Sequence, residues 1–225
     1  MRRGNRLSGM GNREALLAGA KRCLREKGFA RTTARDIAAA SGVSLAAIGY
    51  HFGSKEALLT DALMQAIQEW EVEFRQALSR STKPKATPTE RFEAIWSYLI
   101  QSFAAHRAMW VANFDVFLQM DHVPEIRQRI GEALEGARVG LASLFLNVDG
   151  EAVDKRTAQT VGAFHHALMI GVMAQWLMDP KQAPSARDLR EALQAVTAQL
   201  QPNKKECNVK RRTGLRRQGE SEAGR

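Results

Sequence analysis

The stretch from Thr32 to Leu59, TTARDIAAASGVSLAAIGYHFGSKEALL, leaves the chain little freedom of local structure. Thr33 is a good helix N-cap, and Asp36 three residues later completes a capping-box pair. A short helix with Ile37 as its main core residue then runs to about Ser41, and Gly42 supplies a turn. Ser44 caps a second short helix, about Leu45 to His51, with Val43 placed to staple onto Ile48. Gly53 breaks it and Ser54 caps a third. Two short helices joined by a glycine turn predict a helix-turn-helix, a unit whose second helix enters the major groove of DNA.

The rest of the chain reads as helix. Residues 1–12 contain Gly4, Gly9 and Gly11 and no apolar period, which predicts a flexible basic arm. From Arg13, Leu16, Leu17, Ala20 and Leu24 recur at helical spacing up to Lys27, before Gly28. The helix capped by Ser54 carries Leu58, Leu59, Leu63, Ile67, Trp70 and Phe74 to about Arg80. At the helical rise that is a rod of roughly 40 Å, long enough to join two domains. After the breakers Ser81 to Pro84, Thr87, Pro88 and Glu90 mark a new helix start, followed by Phe92, Ile95, Trp96, Leu99 and Phe103. An apolar helix covers Met109 to Met120, and Pro124 opens another that reaches Leu146. A further helix is expected from about Ala152 to Met178, and Ser185 with Asp188 caps a last one ending near Leu200. There is no strand-like alternation. The expected fold is all-α: a three-helix DNA-binding domain (13–60), an arm before it (1–12), a helical effector-binding and dimerisation domain (61–201) and a basic disordered tail (202–225).

Charge is unevenly placed. The net +9 of this 225-residue chain arises from four arginines against no acid in residues 1–13, seven basic residues against four acids in 14–60, and eight against three in 203–225. Residues 61–202 carry fourteen basic residues against seventeen acids. Basic ends on a basic first domain favour a polyanion partner such as the phosphate backbone. Two isolated cysteines, Cys23 and Cys207, read as reduced thiols, and neither has a second ligand at metal spacing. No secretory stretch and no unbroken apolar run of membrane length is seen, so the expected place is the cytoplasm, with no membrane partner, no metal and no cofactor.

Residues 13–59 resemble the DNA-binding domain of TetR-type bacterial transcriptional regulators. The features that carry the likeness are Gly28-Phe29, Thr32-Thr33, Ile37-Ala38, Ser41-Gly42-Val43-Ser44, Tyr50-His51-Phe52 and Ser54-Lys55-Glu56-Ala57-Leu58. The resemblance implies operator contacts at Thr33, Ser44, Tyr50, His51 and Lys55. On physical grounds Leu45 and Ala47 can meet thymine methyl groups, and the tips of Tyr50 and His51 can reach phosphate or a base edge. A cation in the first turn of a helix, such as Lys55, opposes the helix dipole, and a phosphate bound there would offset this. The chain departs from the common family pattern at Ala46, Ala47 and Gly49, which alters the base-reading surface.

The resemblance also implies a homodimer on a palindromic double-stranded DNA operator and a small-molecule effector. An apolar or aromatic effector suits the aromatic clusters, with Trp96, Phe103, Trp110, Phe114, Asp115, Phe117, Phe164 and Met169 as candidate pocket residues and Asn113 as a polar contact. Core packing explains most of those aromatics equally well. Gly162 and Gly171 would allow close helix approach at a dimer interface. His165 and His166 project about 100° apart on a helix and cannot readily share one ion. The function expected is a ligand-responsive repressor that is not an enzyme. The alternatives are an all-helical small-molecule-binding protein or enzyme with an appended DNA-binding motif, and a nonspecific nucleic-acid-coating protein resting on the basic ends.

Overall fold

The structure is a computed structural model that describes residues 3–81, 86–119 and 124–200. Among these residues every regular element is helical. The helices are α1 (Arg3–Lys27), α2 (Ala34–Ser41), α3 (Leu45–Phe52), α4 (Lys55–Ser81), α5 (Pro88–Ala105), α6 (Arg107–Gln119), α7 (Pro124–Leu146), α8 (Lys155–Met178) and α9 (Ala186–Leu200). The tail 202–225, with Cys207, lies outside the described residues.

Caps set most boundaries as the sequence predicts. The Thr33–Asp36 and Thr87–Glu90 boxes are both closed, and Ser185 exchanges the same bonds with Asp188. Gly42 ends α2 at φ 68°, a left-handed conformation that a side chain would strain, and its N–H returns to the Ala38 carbonyl. Two boundaries differ. α1 begins at Arg3, ten residues before the expected start, because Gly4, Gly9 and Gly11 each weaken a helix by about 1 kcal/mol without forbidding it. The helix expected from Ala152 begins instead at Lys155: Gly150–Ala152 form a 3-10 turn, and Asp154 caps α8 by accepting from the Thr157 N–H at 2.7 Å. Ala158–Gly162 of α8 are π-helical.

Two apolar cores hold the chain. The first joins α1 to α4 through Leu16, Ala20, Phe29, Ile37, Ile48, Phe52, Leu58 and Leu59. It also takes in Ala112 and Val116 of α6 and Ile130 of α7, so α1 to α4 share their core with the following helices. The second gathers Phe74 of α4, Trp96, Leu99 and Phe103 of α5, Trp110 of α6, Val172 and Met173 of α8 and Leu189 of α9. Cys23 is buried in the first core, and burial raises its thiol above the ordinary range, so it stays protonated. α8 is long and apolar enough, by length and composition, to cross a membrane. Its inner face, with His165, Val172 and Met173, is buried in the chain.

Candidate functional site

α3 is amphipathic across its eight residues. Ile48 and Phe52 point into the core, Ala47 packs against it, and Ser44, Leu45, Ala46, Gly49 and Tyr50 face outward. Tyr50 is 85% exposed and Leu45 49%, both large side chains left in water. An exposed tyrosine beside an exposed leucine on one short helix gives that face an amphipathic contact surface. The outward face therefore comprises Leu45, Ala46, Gly49 and Tyr50, with Ala46 in the place expected for Ala47. His51 is half-buried and lies edge-on to the Tyr50 ring, centroids 4.9 Å apart.

Two of the expected operator contacts sit differently at their helix caps. Ser44 has cap backbone geometry, yet its hydroxyl makes no cap hydrogen bond, which leaves it free for an outside acceptor. Thr33 is the reverse case. Its hydroxyl donates to Asp36 at 2.8 Å and accepts from the Asp36 N–H, so it is already engaged. Lys27 sits 2.6 Å from the Asp36 carboxylate and, with the Thr33 bonds, holds its pKa down at about 2. What the start of α2 still offers an anion is its first unpaired N–H groups and the exposed Arg35. Arg35 was not among the expected contacts; a cation in a first helical turn, the same signal as Lys55, marks it.

The Lys55 ammonium reaches back to this corner. It donates to the Thr32 carbonyl at 3.0 Å and lies 3.2 Å from Glu56. Lys55 thus ties the start of α4 to the residue before the α2 cap, and one of its three N–H donors remains for a phosphate. The end of α3 is braced from behind. The Arg13 guanidinium lies 5.1 Å over the Phe52 ring and 3.8 Å from Asp61. Asp61 also pairs with Arg129 of α7.

A second feature lies deeper. α4, α6, α7 and α8, with Leu99 of α5, line a partly open cavity of about 140 Å3. Of the expected effector residues, Trp110, Phe117 and Met169 line it, as does Asn113. Trp96 and Phe103 are fully buried in the second core and do not reach it. Phe114 packs on that core, Asp115 is half-buried off the cavity, and Phe164 is half-exposed on the outer side of α8. The sequence reading missed the α4 wall of Met64, Ile67, Trp70 and Phe74, the α7 wall from Ile130 to Leu144, and His166. Glu71 and Arg75 form an ion pair at 2.8 Å on the rim, resting against Gly140. His165 turns away, stacked on Phe145 at 3.8 Å. Among the described residues no cluster of His, Cys, Asp or Glu is arranged to hold a metal.

Residues 16–62 match the family model of bacterial regulatory proteins, tetR family. A search of curated proteins finds no match. The multidrug binding protein EbrR, solved with proflavin, is 22% identical, covers 82% of this chain and 98% of its own, and superposes with a TM-score of 0.58. A transcriptional regulator from Rhodococcus sp. Rha1 is 20% identical over 80% of this chain and 91% of its own, TM-score 0.53. The transcriptional regulator FadR from Bacillus subtilis, solved with stearoyl-CoA, is 17% identical over 80% and 94%, TM-score 0.54. At these identities the likeness establishes the fold. Residues 16–62 thus match the tetR family of bacterial regulatory proteins, and the chain shares the helical fold of these solved structures over about four fifths of its length.

Proposed function

We propose that the chain is a cytoplasmic, ligand-responsive repressor that binds a palindromic operator as a homodimer and releases it when a small apolar or aromatic effector occupies the cavity between α4 and α8. The observation that carries this reading is the exposed face of α3, where Leu45 and Tyr50 stand in water on a basic domain while Ile48 and Phe52 hold the helix in place. Ser44, Tyr50, His51, Lys55 and Arg35 are assigned to the operator, with Leu45 and Ala46 as apolar contacts to thymine methyl groups. Thr33 serves the operator through the helix start it caps. Basic side chains fix the register on phosphate, and α3 reads bases.

The cavity supports the effector half of the reading. Its walls are apolar and aromatic, with Asn113, His166 and the Glu71–Arg75 pair as the few polar groups that orient a ligand. Solved neighbours of similar fold hold proflavin, choline and stearoyl-CoA, which supports an effector reading. The homodimer is supported by the outer faces of α8 and α9, where Phe164, Met178, Val196 and Leu200 are exposed.

The test is an electrophoretic mobility shift with DNA from the region flanking the gene. A salt-sensitive, sequence-specific shift is expected, weakened about 5- to 150-fold by Tyr50→Ala and by Lys55→Ala, since each lost contact to base or phosphate costs on the order of 1–3 kcal/mol. Binding that survives both substitutions unchanged and disappears when residues 203–225 are removed would overturn the reading in favour of nonspecific coating.

A further inference from the structure

We propose that Trp70 is the movable partition that sets the size of ligand the cavity accepts, and that it opens toward the DNA-binding domain. The inference rests on the effector reading of the cavity. Trp70 lines two spaces. On one side is the cavity of about 140 Å3. On the other is a cleft of about 580 Å3 bounded by α1, α4 and the corner between α5 and α6. Ala18, Leu24, Ala66 and Met109 supply apolar lining to that cleft. The Lys21–Glu69 ion pair, at 2.8 Å, joins α1 to α4 beside it.

The volumes decide what fits. An apolar cavity of about 150 Å3 holds a single benzene ring, whereas pockets for larger ligands run to roughly 300–1,000 Å3. With Trp70 in place the inner space of the cavity matches one aromatic ring. The fixed and movable walls can be told apart. Trp110 is buried, and its N–H donates to the Ser102 carbonyl at 3.1 Å. Trp70 is half-buried and makes no hydrogen bond to the described residues; ring contacts with Phe74 at 5.3 Å and Trp110 at 4.8 Å hold it. It is the wall with open space behind it. A two-ring ligand gains room by turning the Trp70 indole into the cleft, where it meets α1 of the reading domain.

The experiment titrates the full chain with benzyl alcohol and with 4-biphenylmethanol by isothermal calorimetry. Trp70→Ala joins the two spaces, so the preference for the two-ring over the one-ring alcohol should rise at least about tenfold, the scale of discrimination that even one methylene produces in an apolar pocket. Trp70→Phe should fall between. Ala66→Phe keeps the indole but fills the space behind it, and should weaken the two-ring probe alone. If Trp70→Ala does not fold by far-ultraviolet circular dichroism, Ala66→Phe carries the test. Leu134→Trp, which fills the cavity itself, should abolish binding of the one-ring probe. An unchanged ratio in Trp70→Ala and Ala66→Phe, with Leu134→Trp still blocking, overturns the partition and leaves the effector reading standing. If neither probe binds the unaltered protein, both are overturned.

Discussion

At the scale of single residues, Gly162 and His165 show what α8 is built to do. A Cβ on Gly162 would stand 2.1 Å from the Arg138 carbonyl oxygen and 2.7 Å from its carbon, both backbone atoms that cannot step aside. The glycine therefore brings α8 against α7 within one chain, whereas the sequence placed it at the dimer interface. The π-helical turn ends at this contact. Gly162→Ala should cost about 3 kcal/mol, the upper range for overpacking a core, read as a lowered denaturant midpoint. Three residues on, the His165 ring is buried nearly parallel to Phe145, its Nδ1 2.9 Å from the Val161 carbonyl. Burial lowers its pKa from the ordinary 6.5, and burial together with Arg138 does the same for His166. The folded state thus binds these protons less readily than the unfolded state. Their stabilisation is fully present above about pH 6.5 and is lost as pH falls through the lowered folded values. The denaturant midpoint should drop between about pH 7.5 and about pH 5.5, and His165→Phe, which keeps a ring on Phe145, should flatten the drop.

At the scale of elements, the outer face of α8 makes a prediction of its own. Phe164, Ala167, Gly171, Gln175 and Met178 are all exposed, at spacings of three and four that place them along one stripe. Gly171 has open space at its Cβ position, as a surface awaiting another helix requires. A carboxylate in the middle of that stripe would be stranded in an apolar interface. Ala167→Glu should therefore turn the proposed homodimer into a monomer by light scattering after size exclusion, with the helical content unchanged. Helix starts were legible because a capping box is a local contract: Thr33–Asp36, Thr87–Glu90 and Ser185–Asp188 lie three residues apart and need no distant partner. The start of α1 was not legible, since it depends on how far a helix nucleated by Leu16 and Ala20 propagates through weak glycines. The outward face of α3 was readable from Ile48 and Phe52, although Ala46 rather than Ala47 lies on it. The cavity was hardly readable. Trp96 and Trp110 have the same periodicity on neighbouring helices, yet only the packing of four distant helices makes one a core residue and the other a wall. His166, Ile130 and Met64 carry no local mark that would have assigned them there.

At the scale of the whole molecule, the proposed function requires a ligand between α4 and α8 to be felt at α3. Packing supplies the route. Val116 and Ile130 line the cavity and also belong to the core of the reading domain, so α6 and α7 cannot shift without disturbing that core. Next to Ile130, Arg129 pairs with Asp61 of α4, and the same carboxylate faces Arg13, whose guanidinium covers Phe52 at the end of α3. The Asp61 side chain is 19% exposed, so its partners are only partly screened by water. Coupling between two ligand sites commonly amounts to about 1–3 kcal/mol, or about 5–150-fold in affinity. Asp61→Asn keeps the shape of the side chain and removes the charge that both arginines share. It should leave unliganded operator binding within about threefold, because α3 is held chiefly by Ile48 and Phe52, while shrinking the effector-induced loss of operator affinity. Linkage requires the same shrinkage in reverse: the operator should weaken effector binding less in Asp61→Asn than in the unaltered chain. Mobility shifts with and without benzyl alcohol, paired with calorimetry with and without operator, measure both arms. An unchanged coupling in both arms would mean that the shared apolar core alone transmits the signal and that the Arg129–Asp61–Arg13 line serves only stability.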